Sequence, residues 1–376
     1  MNKNIDIFGG FYRGKRVLIT GHTGFKGSWL SIWLHEMGAE VIGVGLEPYS
    51  GKDNYVLSGI GKRIKADIRA DIRDGQKLKD IFFEYQPEIV FHLAAQPLVR
   101  LSYENPVETY ETNVMGSINV MEAARVTDSV KVVVMITTDK CYENKEQIWG
   151  YRENEPMGGY DPYSSSKGAA EIAINSWRRS FFNPADYGKK HHVAIASVRA
   201  GNVVGGGDWA KDRIVPDCIR ALEAGKTIEI RSPKAIRPWQ HVLEPLSGYL
   251  TLGQQLADGR CPDGEPFNFG PNGEKPTTVF ELTQDLAGEW GLDKSKASRI
   301  TGAIPFKEAG LLRVNCDKAQ AMLRWHSTLS YSQCIHILAE WYKAYYDGGS
   351  DMAALTEKQL AFYMEEAARQ ELDWAQ

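Results

Sequence analysis

The sequence predicts an α/β protein built on a doubly wound parallel sheet of Rossmann type, followed by a smaller, mainly helical C-terminal domain. Three observations predict this fold. Short apolar runs alternate with longer segments of helical period, a glycine-rich turn follows the first run, and the alternation loosens after about Gly201. Near-continuous apolar strands are typical of a parallel sheet that is covered on both faces. Strand followed by helix, repeated, predicts crossover connections within one sheet.

The predicted elements follow this alternation along the chain. The strands are predicted at Arg16–Thr20, Glu40–Leu46, Glu88–Ala95, Lys131–Thr138 and Val193–Ala200. The helices between them are predicted at Ser28–Met37, Gln76–Tyr85, Pro106–Val126 and Pro162–Phe182, and later helices at Thr277–Gly291, Asp317–Trp325 and Tyr331–Tyr346. We therefore predict a sheet domain over 1–200, to which the chain returns around 238–270, and a second domain over 201–237 and 271–376.

The composition is that of a globular protein large enough for two domains. The chain has 376 residues, of which 43% are hydrophobic and 24% charged, and a formal net charge of −4. This charge gives no general attraction to nucleic acid or to an anionic membrane. The five cysteines are scattered without a CxxC spacing, which predicts no disulfide framework and no metal site, and favours a reducing cytoplasm. No signal peptide or membrane span is expected.

The first chemical motif is TGHTGFKGSWL, which lies between the first strand and its helix. Gly21, Gly24 and Gly27 leave the backbone amides at the helix N-terminus open to close approach, which suits the pyrophosphate of a dinucleotide. The spacing differs from the GxGxxG fingerprint, and a turn needed only for helix–sheet packing is the alternative. Its place in a strand–turn–helix favours nucleotide binding.

The ends of the next strands bear on the choice between NAD and NADP. An acid that bonds the ribose is expected at the end of the second strand, but Gly45 occupies that position and Glu47 is the nearest substitute. No arginine follows to hold a 2′-phosphate, which favours NAD. Asp71 and Ile72 are predicted to contact the adenine, in preference to Asp67 and Ile68. The two pairs belong to two copies of the sequence ADIR, a repeat that is too short to indicate a structural unit.

The second motif, YSSSK, places Tyr163 and Lys167 on one face of a helix. An ammonium beside a phenol lowers the pKa of the phenol, so Tyr163 can take a proton from a sugar hydroxyl. As a bare pattern YxxxK also describes a surface helix pair. Together with the glycine turn and with Thr138 at a strand end, it predicts oxidation of an alcohol.

The motifs TGHTGFKG, HLAAQ, TTDK and YSSSK, in this order, resemble the extended short-chain dehydrogenase/reductases, which include nucleotide-sugar epimerases and dehydratases. The longer blocks FYRGKRVLITGHTGFKGSWL, IWGYRENEPMGGYDPYSSSKG, RAGNVVGGGDW, RPWQHVLEP and EAGLLRVNCDKA are similar to CDP-glucose 4,6-dehydratases. The resemblance covers nearly the whole chain. It implies bound NAD, CDP-glucose as substrate, a role in 3,6-dideoxyhexose and O-antigen synthesis, and a homodimer or dimer of dimers.

The resemblance also implies the residues that bind each ligand. The implied cofactor residues are Gly21, Thr23, Gly24, Phe25, Gly27, Asp71, Ile72, Leu93, Ala94, Ala95, Thr112, Tyr163 and Lys167. The implied substrate residues are Gln96, Asn202, Arg213, Arg237 and Arg313. A guanidinium fork suits two phosphate oxygens, most of all at Arg237. Surface or capping roles stay open for the other arginines and for the asparagine, and no metal ion is implied.

The segment TTDKCY holds the groups that a dehydration needs. Asp139 in its protonated form suits an acid for the departing 6-hydroxyl, and related dehydratases place a glutamate base where this chain has Lys140. An ordinary lysine, with a pKa of about 10.4, is protonated at neutral pH. Desolvation and the charge of Lys167 lower that pKa, whereas ionised Asp139 raises it. A structural ion pair, or a Lys140 that alternation turns away from the sugar, stays open.

Other functions share part of this pattern. A nucleotide-sugar epimerase or reductase shares the glycine turn and YxxxK but needs no acid and base beside Thr138. A UDP-N-acetylglucosamine 4,6-dehydratase also carries a lysine there. A non-catalytic dinucleotide sensor would have no need of Tyr163 and Lys167. His92 is expected to be a packed strand-end histidine.

Overall fold

The fold is described from a computed structural model over residues 7–261, 264–271, 277–294, 297–301 and 310–376. Seven strands form one parallel sheet in the order β11-β6-β5-β4-β1-β2-β3. The strands in chain order are β1 Arg16–Thr20, β2 Glu40–Gly45, β3 Ala66–Arg69, β4 Ile89–His92, β5 Val132–Ile136, β6 Ala194–Ala200, β7 Val203–Val204, β8 Ile228–Ile230, β9 Ile236–Arg237, β10 Gln240–His241, β11 Phe267–Phe269, β12 Thr277–Thr278 and β13 Ser298–Ile300.

Helices cover both faces of the sheet and form most of the C-terminal third. The α-helices in chain order are α1 Phe25–Glu36, α2 Asn54–Leu57, α3 Gly75–Tyr85, α4 Val99–Glu104, α5 Pro106–Tyr110, α6 Gly116–Arg125, α7 Pro162–Ser180, α8 Ile214–Glu223, α9 Leu243–Ala257, α10 Val279–Glu289, α11 Asp317–Leu323, α12 Tyr331–Asp347 and α13 Met352–Arg369. The predicted fold class is confirmed. Within the described ranges, no helix has the length and hydrophobicity to cross a membrane.

The apolar strands are buried on both faces, as their composition predicts. In β1, Val17 and Ile19 face a core built with α1, α9 and the C-terminal helices. Leu18 faces the opposite core, built with α3, α6 and α7. Because neighbouring residues point to opposite faces of a strand, a sheet with two covered faces needs apolar residues at every position.

Two strands of the sheet were not predicted from the sequence. Strand β3, Ala66–Arg69, is the first ADIR copy, and it pairs in parallel with β2 at the edge of the sheet. Asp67 and Arg69 interrupt its apolar residues, so it lacks the apolar run from which the other strands were predicted. Strand β11, Phe267–Phe269, pairs with β6 after a long excursion of the chain and has too few residues to form a pattern.

The helix predicted over Pro106–Val126 is interrupted. Helices α5 and α6 are joined by a π-helical turn, Glu111–Met115. Such turns are rare and frequently lie at functional sites. Asn113 in this turn accepts a bond from Gln96 N at 2.9 Å and donates to Ser166 Oγ at 2.9 Å, so it ties the turn to β4's end and to α7.

The last part of the chain packs on the sheet domain. Trp374 stacks on Tyr363 of α13, with ring centroids 5.7 Å apart, and on Phe8 near the N-terminus, at 5.4 Å. It also meets Trp33 of α1 edge-on at 5.7 Å. The chain's two ends therefore share one aromatic cluster over the helix that follows β1.

Candidate active site

The candidate site lies at the carboxyl edge of the sheet, where the direction of winding changes. Strands β1 and β4 are neighbours, and the chain continues from β1 to β2 on one side and from β4 to β5 on the other. The loops that leave two such strands diverge and open a crevice, which is where doubly wound sheets bind ligands. The motifs predicted from the sequence meet around this crevice.

The glycine turn forms a backbone cradle there. A Cβ on Gly27 would lie 2.1 Å from the carbonyl oxygen of Gly21, and a Cβ on Gly21 would lie 2.7 Å from the amide nitrogen of Ala94. Helix α1 begins at Phe25, and its N-cap, Gly24, contributes no side-chain hydrogen bond. The first amides of α1 are thus open to an anionic group, and the cradle fits a pyrophosphate.

The adenosine side differs from the sequence prediction in one respect. Arg69 lies directly opposite Gly45 in the β2–β3 pairing, so an arginine does stand at the expected ribose position. The sequence argument missed it because the neighbouring strand supplies it. Its guanidinium is already held by the Asp67 carboxylate, by Glu47 at 3.2 Å and by the Tyr55 hydroxyl at 2.9 Å. These contacts neutralise the cation, which leaves the preference for NAD in place.

Asp71 and Ile72 follow the carboxyl end of β3, on the side of the crevice. The Asp71 carboxylate accepts from Arg73 N at 2.8 Å and from its guanidinium, and these bonds lower the pKa of Asp71. Ile72 is buried against Gly116, and its carbonyl accepts from Asn119 at 3.0 Å. The pair stands where an adenine would approach, and its role stays a prediction.

The segment after β4 packs tightly against the glycine turn. Leu93 N donates to Thr20 O at 3.0 Å, and Ala94 N donates to Thr20 Oγ1 at 3.3 Å. His92 lies between Thr20 Oγ1, at 2.7 Å, and Ser117 Oγ, at 3.0 Å. Burial lowers the pKa of His92 to about 3. It is a neutral, packed histidine, as the sequence analysis expects.

Gln96 faces its own turn rather than open space. Its side-chain amide donates to Leu98 O at 3.1 Å and to Thr109 Oγ1 at 3.0 Å, and its Oε1 accepts from Leu98 N at 2.6 Å. These bonds give the Gln96 amide a structural role in its own turn. Thr112 lies in the neighbouring π turn. The ligand-binding roles predicted for both residues therefore gain no support from these contacts.

Tyr163 and Lys167 lie in the first turns of α7, and both are buried. The Thr138 hydroxyl hydrogen-bonds the Tyr163 phenol, and Lys167 Nζ donates to Ile136 O at 3.3 Å. Burial raises the pKa of Tyr163 to about 12, against the smaller lowering by Thr138. The expectation that Lys167 leaves this pKa below its ordinary value is therefore wrong for the protein alone, because desolvation outweighs the neighbouring charges.

Asp139 is buried beside this pair. Thr138 Oγ1 donates to its Oδ1 at 3.1 Å, and Asn202 Nδ2 donates to its Oδ2 at 3.3 Å. A Cβ on Gly201 would lie 1.8 Å from that Oδ2, so the residue at 201 has no room for a side chain. Burial raises the pKa of Asp139 and outweighs the lowering by Lys140 and other groups. The environment thus favours the protonated carboxyl that an acid catalyst needs.

Lys140 lies on the same side of the site as Tyr163. Strand β5 ends at Ile136, and Asp139–Cys141 form a 3₁₀ turn in which Lys140 N donates to Thr138 Oγ1 at 3.3 Å. Strand alternation therefore does not apply to this residue. Its Nζ lies 6.0 Å from the centroid of the Tyr163 ring, so the alternative in which it turns away from the site is wrong. Its role as base stays a prediction.

Three of the predicted substrate residues converge on the same space. The charge of Arg213 acts on Tyr163, and its guanidinium bonds Asp208 at 2.8 Å. The charge of Arg237 acts on Asp139, which also accepts the bond from Asn202. Among the described contacts, none joins the Arg313 side chain to this group. The Arg313 carbonyl accepts a hydrogen bond from Tyr151 N at 2.8 Å.

One charged residue of the site was missed by the sequence analysis. Lys26 stands inside the glycine turn, in front of Gly27, and the charges of Arg213, Asp139 and Lys167 act on its ammonium. Burial lowers the pKa of Lys26 to about 8. Lys26 is the one lysine within the motif TGHTGFKG, and that position was the signal that could have found it.

The family model described as GDP-mannose 4,6 dehydratase matches residues 18–338 of the chain. The chain belongs to this family. A CDP-glucose 4,6-dehydratase of Salmonella typhimurium (strain LT2) is 48% identical over 359 residues, which cover 96% of this chain and 99% of that protein. A probable dTDP-glucose 4,6-dehydratase of Sinorhizobium fredii is 31% identical over 338 residues, covering 87% and 92%.

Solved structures of sugar-nucleotide enzymes share the fold. The structure of DesIV, a dTDP-glucose 4,6-dehydratase from Streptomyces venezuelae with NAD and TYD bound, superposes with a TM-score of 0.75 at 22% identity and covers 90% of this chain and 99% of that one. At this identity the likeness shows the fold alone. It agrees with the fold class predicted from the sequence.

Proposed function

We propose that this protein is a CDP-glucose 4,6-dehydratase that forms CDP-4-keto-6-deoxyglucose with NAD as its cofactor. The observation that carries the proposal is the turn that holds buried Asp139 and Lys140 beside Tyr163. Epimerases and reductases need the tyrosine and lysine of YxxxK, but only the loss of water needs a further acid and base. The choice of CDP-glucose rests on the relative with 48% identity.

NAD fits the residues at the sheet's crevice. The amides of α1 that Gly24 and Gly27 expose suit its pyrophosphate, and the neutralised Arg69 opposite Gly45 does not favour a 2′-phosphate. When bound, NAD accepts a hydride from carbon 4 of the sugar and gives it back at carbon 6 within one turnover. A 4-keto-6-deoxy product of this kind suits enzymes that make the 3,6-dideoxyhexoses of O-antigen.

The protons of the reaction move through this chain's own residues. Tyr163 takes the proton of the 4-hydroxyl as its phenolate, which the positive charge of bound oxidised NAD would favour over the phenol of the protein alone. The ketone formed at carbon 4 acidifies the hydrogen on carbon 5. Lys140, in its neutral form, removes that proton, and its ammonium returns a proton to carbon 5 when the hydride reaches carbon 6. Asp139 protonates the 6-hydroxyl, which leaves as water when the double bond between carbons 5 and 6 forms. The raised pKa of Asp139 supports its role as the acid.

The nucleotide and diphosphate are proposed to bind between the sheet edge and the C-terminal segments. Arg213 and Arg237 act electrostatically on Tyr163 and Asp139, so a diphosphate held by them would place the sugar at the catalytic turn. Asn202, now bonded to Asp139, is a third contact. The substrate domain is proposed to comprise 201–237 and 271–376. Within it, α13 packs on α1 of the sheet domain, where Tyr363 meets Trp33.

The test of the function is a substrate panel. The protein is incubated with NAD and CDP-glucose, dTDP-glucose or UDP-N-acetylglucosamine, and the loss of water is followed by mass spectrometry. CDP-glucose should lose water far faster than the other two. Equal rates on all three would remove the choice of nucleotide, faster loss from UDP-N-acetylglucosamine would favour that dehydratase, and a 4-epimer without water loss would favour an epimerase.

We also propose that the protein is a homodimer or a dimer of dimers, joined through α5, the π turn and α7. Val107, Tyr110 and Met115 expose 70%, 38% and 50% of their surface on one apolar groove. Light scattering at micromolar concentration should give twice or four times the chain mass. Val107→Asp with Met115→Glu should give monomers, whereas Phe83→Asp, on exposed α3, should not. A monomeric wild type would contradict the proposal.

A cytoplasmic location is the remaining part of the proposal. Its support is that all five cysteines are buried thiols. Thiols of this kind suit a reducing compartment. Fractionation of cells that express the protein would test the location.

A further inference from the structure

A buried ion pair lies beneath the catalytic turn, where the reaction described above gives it no task. Arg199 of β6 and Glu171 of α7 meet at 2.7 Å, and their side chains are each 4% exposed. Ser197 Oγ donates to the same carboxylate at 2.8 Å, and the Thr137 hydroxyl donates to its other oxygen. Burial alone would raise the pKa of Glu171, but Arg199 and these two hydroxyls lower it, so the carboxylate is ionised.

The pair holds both ends of the turn that carries Asp139 and Lys140. On one side, Glu171 binds Thr137, the residue before Thr138. On the other side, Arg199 Nη1 donates to the Tyr142 hydroxyl at 2.8 Å, and Tyr142 is the residue after Cys141. The Tyr142 hydroxyl in turn donates to Oδ1 of Asn268, in the edge strand β11, at 2.7 Å. The turn is thus clamped between α7, β6 and β11.

The same carboxylate lies one helical turn beyond Lys167 on α7. Burial lowers the pKa of Lys167 to about 8, and the charge of Glu171 opposes that lowering. Two further groups face the ammonium: neutral His92 from β4 and cationic Lys26 from α1.

We propose that Glu171 and Arg199 are positioning residues for the dehydration: the ion pair holds the turn Thr138–Cys141 from both ends, and the carboxylate keeps Lys167 cationic. The inference rests on the proposed function. A buried ion pair adds little net stability compared with apolar residues of the same size, so stability alone is a weak reason for this one. Besides Ser197 and the carbonyl of Glu153, the pair contacts Thr137 and Tyr142. These last two residues flank the catalytic turn, which is where a positional constraint is needed.

The experiment uses the full-length protein with NAD, and wild-type turnover is measured first. If the wild-type protein releases no water from CDP-glucose, the proposed function is contradicted. The variants are then compared with another nucleotide sugar of the panel, one whose oxidation by the wild-type protein produces reduced NAD. Glu171→Gln keeps the size of the side chain and removes its charge. Glu229→Gln is the matched control, since Glu229 pairs with Arg299 and both side chains are exposed. For each protein, the rate of the first oxidation is measured against pH.

We expect the Kd of Glu171→Gln for CDP-glucose, measured by calorimetry, to stay within about 2-fold of the wild-type value. The proposed diphosphate contacts, Arg213 and Arg237, are unchanged in this variant. Its oxidation rate should decline at a lower pH than in wild type and should be several-fold lower at pH 8. Without the charge of Glu171, Lys167 loses its proton at a lower pH, and the phenolate of Tyr163 loses a neighbouring cation that favours it. The control should match wild type. A Glu171→Gln protein with wild-type melting temperature, rate and pH profile would overturn the proposal.

A conservative variant keeps the proposal open to test if Glu171→Gln does not fold. Glu171→Asp keeps the charge but shortens the reach to Thr137 and Arg199. It should show the wild-type pH profile with a rate lowered by about 3- to 10-fold. A shifted profile would contradict the electrostatic part of the proposal, and an unchanged rate would contradict the positional part.

Discussion

At the scale of single residues, the proposed function gives opposite proton tasks to two adjacent side chains of the catalytic turn. Asp139 is almost fully buried, at 1% exposure, and burial raises its pKa. Lys140 lies next to it, with its ammonium turned toward Tyr163. A carboxyl that keeps its proton and an amine that can lose one are what an elimination across two carbons requires.

Replacement of Lys140 by methionine should separate oxidation from elimination. Lys140→Met keeps Tyr163 and Lys167, so reduced NAD and the 4-keto-glucose nucleotide should still form. Exchange of the carbon 5 hydrogen with deuterated water and the loss of water should both fall by about 100-fold or more. Tyr163→Phe is the comparison, since it should block the first oxidation. Exchange near the wild-type rate in Lys140→Met would show that another group is the base.

Replacement of Asp139 by asparagine should raise the stability at neutral pH and lower the activity. Because the folded-state pKa of Asp139 is raised, the folded protein binds more protons than the unfolded chain between the two pKa values, so wild-type stability falls as pH rises through that window. Asp139→Asn lacks this loss, so its melting temperature should exceed that of wild type at pH 7 but not at pH 3. Loss of water should slow by about 100-fold or more. A lower melting temperature at pH 7 would contradict the raised pKa.

At the scale of elements, the junction of β1 and α1 is the most constrained part of the site. The glycine turn has no room for a Cβ at Gly27, whose nearest neighbour would be the Gly21 carbonyl oxygen at 2.1 Å. Helix α1 can therefore start close to the sheet and direct its first amides into the crevice. Backbone geometry, rather than any side chain, makes this part of the site.

Gly27→Ala should therefore disturb the cofactor cradle. The added methyl would push the start of α1 away from β1, and turnover should fall by about 100-fold because the bound nucleotide is displaced. NAD binding, measured by quenching of tryptophan fluorescence, should weaken in parallel. Gly51→Ala is the matched control, since a Cβ at Gly51 would meet open space among the described residues. Wild-type NAD affinity in Gly27→Ala would contradict the cradle.

At the scale of the whole molecule, aromatic residues far apart in sequence join the two ends of the chain to the sheet. Phe8, Trp33 and Tyr363 surround Trp374, which is 3% exposed. The cluster contacts α1 through Trp33, which lies near the C-terminal end of that helix. It stabilises the helix whose N-terminus forms the cradle without taking part in the site.

Trp374→Ala should destabilise the protein without changing its chemistry. Loss of a buried tryptophan costs about 3 kcal/mol or more, because apolar contacts are lost and a cavity is left. The midpoint of urea unfolding should fall clearly, while KM for CDP-glucose should stay near the wild-type value. Trp149→Ala is the matched control, since Trp149 is 64% exposed. Equal midpoints for the two variants would show that the cluster carries little of the stability.

The sequence alone determined the sheet's central strands, the glycine turn and the pair Tyr163–Lys167, because each rests on local periodicity or on residues a few positions apart. It also predicted different tasks for the neighbours Asp139 and Lys140. What it did not determine were Arg69 opposite Gly45, Lys26 beside Asp139, and the Glu171–Arg199 pair below the turn. These relations join separate strands and helices, and the pKa of Tyr163 depends on burial, so only tertiary packing decides them.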